Sequence, residues 1–368
     1  MKRFTALAVA VMLLCTLILT GCGGGGSDSG KTLTLNVYNW GEYISDGSED
    51  SFDTIREFEK WYEQTYRQKV KVNYTTYASN EEMYSKIVSG AASYDVIIPS
   101  EYMISKMISE DLLAELDWNN IPNYRFIGDE YKGLDFDKDQ KYSVPYTWGT
   151  VVIIYNTKYV DEADVEAESL DLLWNEKYAG KILMFDNPRD AFALALTKVG
   201  ASMNTVDPAD WNAAAEELIR QKPLIQAYVM DQVFDKLIGE EAYIAPYYAG
   251  DAMMMMDENE DLAAYVPVEG ANRFVDAMCV LKNTRHKKEA EQFIDFMCRT
   301  DIAVRNAEEV CYAIPQTEAF EELDEETRND TMVYPPQEVL DHCEVFIDLP
   351  AETLELQSAL WKKLKTQY

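Results

Sequence analysis

The chain has 368 residues, with 33 Lys and Arg against 65 Asp and Glu, a formal net charge of −32 at pH 7. So acidic a chain repels phosphate backbones and anionic headgroups, which excludes nucleic acid as a partner and favours cationic or neutral ligands. With 47 % hydrophobic and 27 % charged residues the composition is globular, and at roughly 100 to 200 residues per domain the length suggests two domains.

Lys2 and Arg3 precede an apolar run from Ala6 to Leu19, the charged and hydrophobic regions of a secretory signal and too short for a membrane span. The run ends in Leu19-Thr20-Gly21-Cys22, which resembles a bacterial lipobox. A signal peptide over 1–21 is therefore expected, with a lipid on the Cys22 sulfur and a Gly/Ser tether over 22–30. Gly21, Gly23 and Gly26 fit G-x-G-x-x-G, but with neither strand before nor helix after them the dinucleotide reading fails.

Alternation at Leu33, Leu35 and Val37 predicts a strand broken by Asn39-Trp40-Gly41-Glu42-Tyr43, and Phe52 to Tyr66 is helical in period. Val70, Val72 and Tyr74 predict a second strand. Ser79 with Glu82 forms a capping box for a helix ending near Gly90, Asp95 to Pro99 is a third strand, and a helix runs from Glu101 through Leu116. This alternation predicts a mostly parallel sheet covered on both faces, with ligands bound beyond the strand C-termini, where Trp40, Tyr43, Tyr77, Ser100 and Tyr102 fall.

Tyr142 to Asn156 is a long extended stretch holding Pro145 and Gly149, suited to a strand crossing between two lobes near Gly149. A second α/β unit follows: strand Lys181 to Phe185, helix Arg189 to Val199, a helix over Ala209 to Gln221, and Ala242 to Ala245 running into four methionines read as strand core. Asn272 to Lys282 is strand-like, and helices Lys287 to Arg299 and Asp301 to Glu309 come after it.

Enzyme signatures are scarce. The chain holds no G-x-S-x-G, P-loop or H-E-x-x-H, and its two histidines, His286 and His342, read as surface residues of helices, far apart in sequence and unsuited to zinc. Asp135, Asp137 and Asp139 imitate a calcium loop, but Gln140 and Tyr146 stand where the glycine and the bidentate glutamate belong, so a turn is expected. Paired carboxylates with aromatic platforms keep a glycosidase as the rival enzyme reading. Cys279, Cys298, Cys311 and Cys343 remain once Cys15 and Cys22 are set aside, with their pairing open.

The positive signal is the inventory of 24 Tyr, 13 Phe and 7 Trp, several beside acids at element ends: Trp40 with Glu42 and Tyr43, Arg189 with Asp190, Phe274 with Asp276. Aromatic faces gain roughly 0.5 to 2 kcal/mol from an ammonium and carboxylates add charge-assisted hydrogen bonds, so rings and acids together suit an organic polycation.

The segments YNWGEYI (38–44), YDVIIPSEYMISKM (94–107), YSVPYTWGT (142–150), FDNPRDAF (185–192), AGDA (249–252) and YAIPQ (312–316) resemble, in order, the spermidine/putrescine-binding proteins of bacterial polyamine ABC transporters. The resemblance implies a type II periplasmic-binding-protein fold of class α/β, with two lobes joined by hinge strands around a central cleft. Residues 31–149 plus 275–320 would form lobe 1 and 150–274 plus 321–368 lobe 2. It further implies a monomeric, extracytoplasmic, lipid-anchored carrier of polyamines that serves an ABC permease without catalysis, cofactor or metal, another small organic cation being the alternative ligand. By the same resemblance Trp40 and Tyr43 lie along the ligand with Glu42 behind them, Ser100 and Tyr102 hydrogen-bond an amine, and Asp190 and Asp276 anchor ammonium groups. Tyr248, Phe274 and Tyr312 are the aromatic walls, and Asn187 adds a polar contact. Tyr248 and Phe274 stand where the family has tryptophan, Asn187 where it has aspartate and Phe346 where it has glutamine, which leaves the choice between spermidine and putrescine open.

Overall fold

The computed structural model describes residues 32–48 and 51–366. The expected signal peptide, Cys22 and the tether lie outside the described residues. Nine strands are present among those described: β1 (Leu33–Trp40), β2 (Val70–Tyr77), β3 (Val96–Ile97), β4 (Ser143–Asn156), β5 (Ile182–Phe185), β6 (Ile225–Val229), β7 (Ile244–Tyr248), β8 (Leu262–Tyr265) and β9 (Arg273–Val280). They run in the order β2-β1-β3-β9-β4-β7-β5-β6, with β8 also on β4. β1 is parallel to β2 and β3, and β5 is parallel to β6 and β7, whereas β9 pairs antiparallel with β3 and β4.

The 14-residue β4 changes partners halfway. Ser143 to Thr150 pairs with β9, whereas Val151 to Asn156 pairs with β7 and β8. Around the second half of β4 a core forms from Val151 to Ile154, the wholly buried β5 and the helices that cover them. A continuous apolar run such as Ile182-Leu183-Met184-Phe185 belongs in a strand covered on both faces. A second core joins Leu35 and Val37 of β1 to Phe58, Phe293 and Phe296.

Local chemistry sets the helix starts. Asp53, Asn187 and Asp207 each accept a backbone N–H from the first turn of the helices Thr54–Tyr66, Pro188–Lys198 and Pro208–Gln221, and proline begins the last two. Trp211, Ala214, Ala215 and Leu218, spaced i, i+3, i+4 and i+7, bury one face of Pro208–Gln221. Ser79 caps the helix Asn80–Val88 through Glu82 N–H, but the Glu82 carboxylate reaches Ala78 N–H, one residue earlier than a capping box requires.

The methionine run departs from the sequence reading. Met253 to Met256 lie in the helix Ala249–Glu258, whose Ala249, Ala252 and Met255 face inward. Alanine and unbranched methionine are strong helix formers, and four apolar residues in a row carry no strand alternation to outweigh that preference. The helix at Glu101 also stops at Ser109, well before Leu116. Asp137 organises the expected turn, its carboxylate accepting from the N–H groups of Lys141, Tyr142 and Ser143 and from the Ser143 hydroxyl. His286 sits at the N-cap of the helix Lys287–Met297, and His342 lies in a turn rather than on a helix. Cys279, Cys298, Cys311 and Cys343 are free thiols.

Candidate functional site: an acidic, aromatic cleft

The carboxyl ends of the parallel strands converge on one cleft of about 670 Å³, including its mouth, as expected where the strand order reverses in such sheets. The segment after β1 supplies Trp40, Glu42 and Tyr43, and that after β3 supplies Ser100 and Tyr102. Asn187 and Asp190 follow β5 at the start of a helix, and Tyr248 ends β7. Phe274 and Asp276, two residues apart on β9, show the same face, and Tyr312 enters from the loop after the helix Thr300–Val310. The ten ligand-binding residues implied by the family resemblance thus line one cavity, whereas Tyr77, also expected beyond a strand end, is the last residue of β2 and is buried outside the cleft lining with its hydroxyl donating to Ile98 O at 2.6 Å. The cavity is also lined by Asp231, Asp251, Tyr247, Asn80 and Phe346.

A repeated hydrogen bond organises the acids. Tyr43 Oη donates to Asp276 Oδ2 at 2.6 Å, Tyr248 Oη to Asp190 Oδ2 at 2.9 Å, Tyr312 Oη to Asp251 Oδ2 at 2.7 Å and Tyr247 Oη to Asp231 Oδ1 at 3.3 Å. Each tyrosine thus holds one carboxylate oxygen in place. Asp276 Oδ1 is buried and makes no hydrogen bond of full geometry, Ser100 being a polar neighbour of the carboxyl. Asn80 Nδ2 meets Ser100 Oγ at 3.0 Å and Tyr102 Oη at 3.1 Å, while Asn187 Oδ1 accepts Arg189 N–H at 2.9 Å, so Asn187 is first a helix cap.

Glu42, Asp190, Asp231, Asp251 and Asp276 line the cleft, and neither lysine nor arginine is among its lining residues. Burial is the leading cause that raises all five above the ordinary carboxylate range: Asp190 to about 7, Asp251 to about 8 and Asp276 to about 6, with Glu42 and Asp231 also raised. The rings form a continuous wall, Tyr43 edge-on to Tyr312 at 4.9 Å, Tyr312 to Phe274 at 6.0 Å and Phe274 to Tyr248 at 5.5 Å. Such a wall covers methylenes while the acids hold charges between them.

Two glycines allow close approach. At Gly41 a Cβ would lie 2.9 Å from Asp231 Oδ2, so the missing side chain is where this acid enters the cleft. At Gly250 a Cβ would overlap the Tyr312 ring. Gly250→Ala is expected to displace that ring from Asp251 and to cost about 1 to 3 kcal/mol of stability. Urea denaturation measures this, and an unchanged midpoint would show that the ring has room to yield.

Asp231 and Asp251 escaped the sequence reading. In a chain with 65 acids a single aspartate carries no signal, and Asp251 lies in a helix next to the methionine run that the sequence pattern presents as strand. Its position in the AGDA segment was the one available clue.

Fold and cleft together define a two-part α/β binding protein for a small cationic solute. The family model "Bacterial extracellular solute-binding protein" matches residues 91–343. The spermidine/putrescine-binding periplasmic protein of Escherichia coli K12 is 31 % identical, over 90 % of this chain and 91 % of its own. Among solved structures, the spermidine/putrescine ABC transporter substrate-binding protein PotD of Streptococcus pneumoniae is 37 % identical with a TM-score of 0.74, covering 91 % of this chain and 99 % of that one. The Tp0655 (TpPotD) lipoprotein of Treponema pallidum is 25 % identical with a TM-score of 0.75, covering 90 % and 99 %. The chain belongs to the bacterial extracellular solute-binding proteins.

Proposed function

We propose that this chain captures a polyamine such as spermidine or putrescine in the cleft and delivers it to an ABC permease. The observation that carries the reading is a cleft with five carboxylates and no lysine or arginine in its lining. An ammonium chain matches it, because each cation takes the other oxygen of a tyrosine-held carboxylate while the rings cover the carbon between amines. Relatives described as spermidine/putrescine-binding support the choice of solute.

In this reading Asp276 and Asp190 hold the two principal ammonium groups, with Tyr43, Tyr248, Phe274 and Tyr312 along the chain, Trp40, Ser100, Tyr102 and Asn187 completing the contacts, and Asp251 a further anchor. The lobes are residues 31–149 plus 275–320 and residues 150–274 plus 321–368, hinged where β4 changes partners. The carrier is a monomer without catalytic activity, held outside the cytoplasm by a lipid on Cys22. The Leu19-Thr20-Gly21-Cys22 segment supports the anchor, and no helix among the described residues is long and apolar enough to cross a membrane.

Thermal unfolding tests the ligand class. At about 100 times the dissociation constant a ligand stabilises by roughly 2.7 kcal/mol, a shift of a few degrees for a protein of this size. Spermidine, putrescine, spermine and cadaverine are expected to raise the midpoint, and glucose and glutamate to leave it unchanged. A shift with the sugar alone would overturn the reading.

A further inference from the structure

A second cavity of about 950 Å³ lies behind β9. Phe274 and Asp276 line the cleft, whereas Arg273 and Val275, one residue out of phase, line this second space, as the two-residue period of a strand requires. The segment after β3 repeats the division: Ser100 lines the cleft, Glu101 the second cavity, and Tyr102 both. Phe346, edge-on to Tyr102 at 5.8 Å, is the other shared wall.

Glu101 is the buried acid of this cavity. It is 1 % exposed; its Oε2 accepts Val275 N–H at 2.9 Å, and its Oε1 is buried without a partner. Burial pushes the carboxyl up to about 8, and the charge of Asp276 adds to the rise. Near neutral pH that carboxyl is largely protonated, and a cation that reaches Oε1 stabilises its ionised form.

The remaining lining favours a cation over an anion. Glu130, Asp135 and Asp348 join Glu101 in the lining against Arg273, and Arg189 lies at the shared wall, its guanidinium 4.4 Å from the Phe346 ring and 5.8 Å from the Tyr102 ring. The Arg273 guanidinium is turned onto the Trp148 ring at 4.8 Å. Tyr102, Tyr131 and Phe136 contribute aromatic surface, and Leu134 and Val275 contribute apolar surface suited to methylenes.

We propose that this cavity is a second binding site, separate from the cleft, for a primary ammonium group on a short alkyl chain, with Glu101 Oε1 accepting from the ammonium. The site does not depend on what the cleft binds.

Ligand-observed NMR titration with n-butylammonium chloride tests it on the wild type and on single and double variants built from three substitutions. Asp276→Asn weakens the cleft, Glu101→Gln removes the charge at nearly constant shape, and Ser105→Trp places an indole inside the second cavity. Because an intact cleft would itself take an ammonium, binding is expected to survive Asp276→Asn and, in that background, to weaken about tenfold or more when Glu101→Gln is added and to disappear when Ser105→Trp is added. Spermidine affinity stays within about threefold in the Glu101→Gln and Ser105→Trp single variants, because neither residue lines the cleft. Loss of butylammonium binding in Asp276→Asn, indifference of that variant to added Ser105→Trp, preference for sodium butyrate, or no binding to the wild type would each overturn the proposal.

Discussion

Replacing Asp276 with alanine is expected to weaken polyamine binding by about 2 kcal/mol or more, roughly thirtyfold. The carboxylate is buried, Tyr43 occupies Oδ2, and Oδ1 makes no hydrogen bond of full geometry, Ser100 being a polar neighbour of the carboxyl. An ammonium placed there satisfies Oδ1 and neutralises the charge. Without the carboxylate, the same ammonium is desolvated beside a neutral hydroxyl. Asp276→Asn separates charge from shape and is expected to bind nearly as poorly. Ligand-free Asp276→Asn should be no less stable than the wild type, since it removes a carboxylate whose ionisation burial opposes. Titration calorimetry and thermal unfolding read both effects, and unchanged spermidine affinity would remove Asp276 from the site.

Polyamine affinity is expected to fall by one to two orders of magnitude between about pH 8 and about pH 6. The ligand needs ionised carboxylates, and burial raises Asp251 to about 8, Asp190 to about 7 and Asp276 to about 6. As the pH drops through these values protons compete with ammonium groups, and each carboxyl that must ionise contributes up to about tenfold per pH unit. The stability of the ligand-free protein moves the other way. A carboxyl whose folded pKa is raised destabilises the fold above that pKa, and the penalty is relieved as pH falls through it towards the unfolded value near 4. The ligand-free midpoint is therefore expected to rise on acidification from about pH 8 to about pH 5, and saturating spermidine to flatten the rise. A midpoint independent of pH over that window would show that these acids carry little of the strain assigned to them.

The framework was legible where periodicity and punctuation agree. Alternation at Leu33, Leu35 and Val37, the Pro208 helix start and the extended run through Pro145 and Gly149 each correspond to an observed element. Of the ten residues carried over by family resemblance, seven sit at or just beyond the end of a strand, positions that element boundaries fix well, whereas Phe274 and Asp276 lie within β9 and Tyr312 follows a helix. The acids were less legible. Asp231 enters the cleft only because Gly41, distant in sequence, lacks a side chain, and no local pattern encodes such an encounter. Asp251 is obscured because the pattern of Met253 to Met256 presents as strand, although alanine and methionine favour the helix that turns this acid inward. Glu101 shows the same limit: adjacent to Ser100 in sequence, it faces another cavity, and only the three-dimensional path of the chain separates the two.

The central claim is that the carboxylates of the cleft bind a polycation, and calorimetric titration of spermidine into protein freed of ligand by partial unfolding and refolding tests it most directly. Run near neutral pH in two buffers of different ionisation enthalpy, the titration counts protons as well as ligand. One high-affinity spermidine per chain, bound with net proton release, is expected, because each ammonium draws a carboxyl raised by burial into its ionised form. Absence of saturable heat with spermidine and putrescine alike, or saturation by glucose with no proton released, would contradict it.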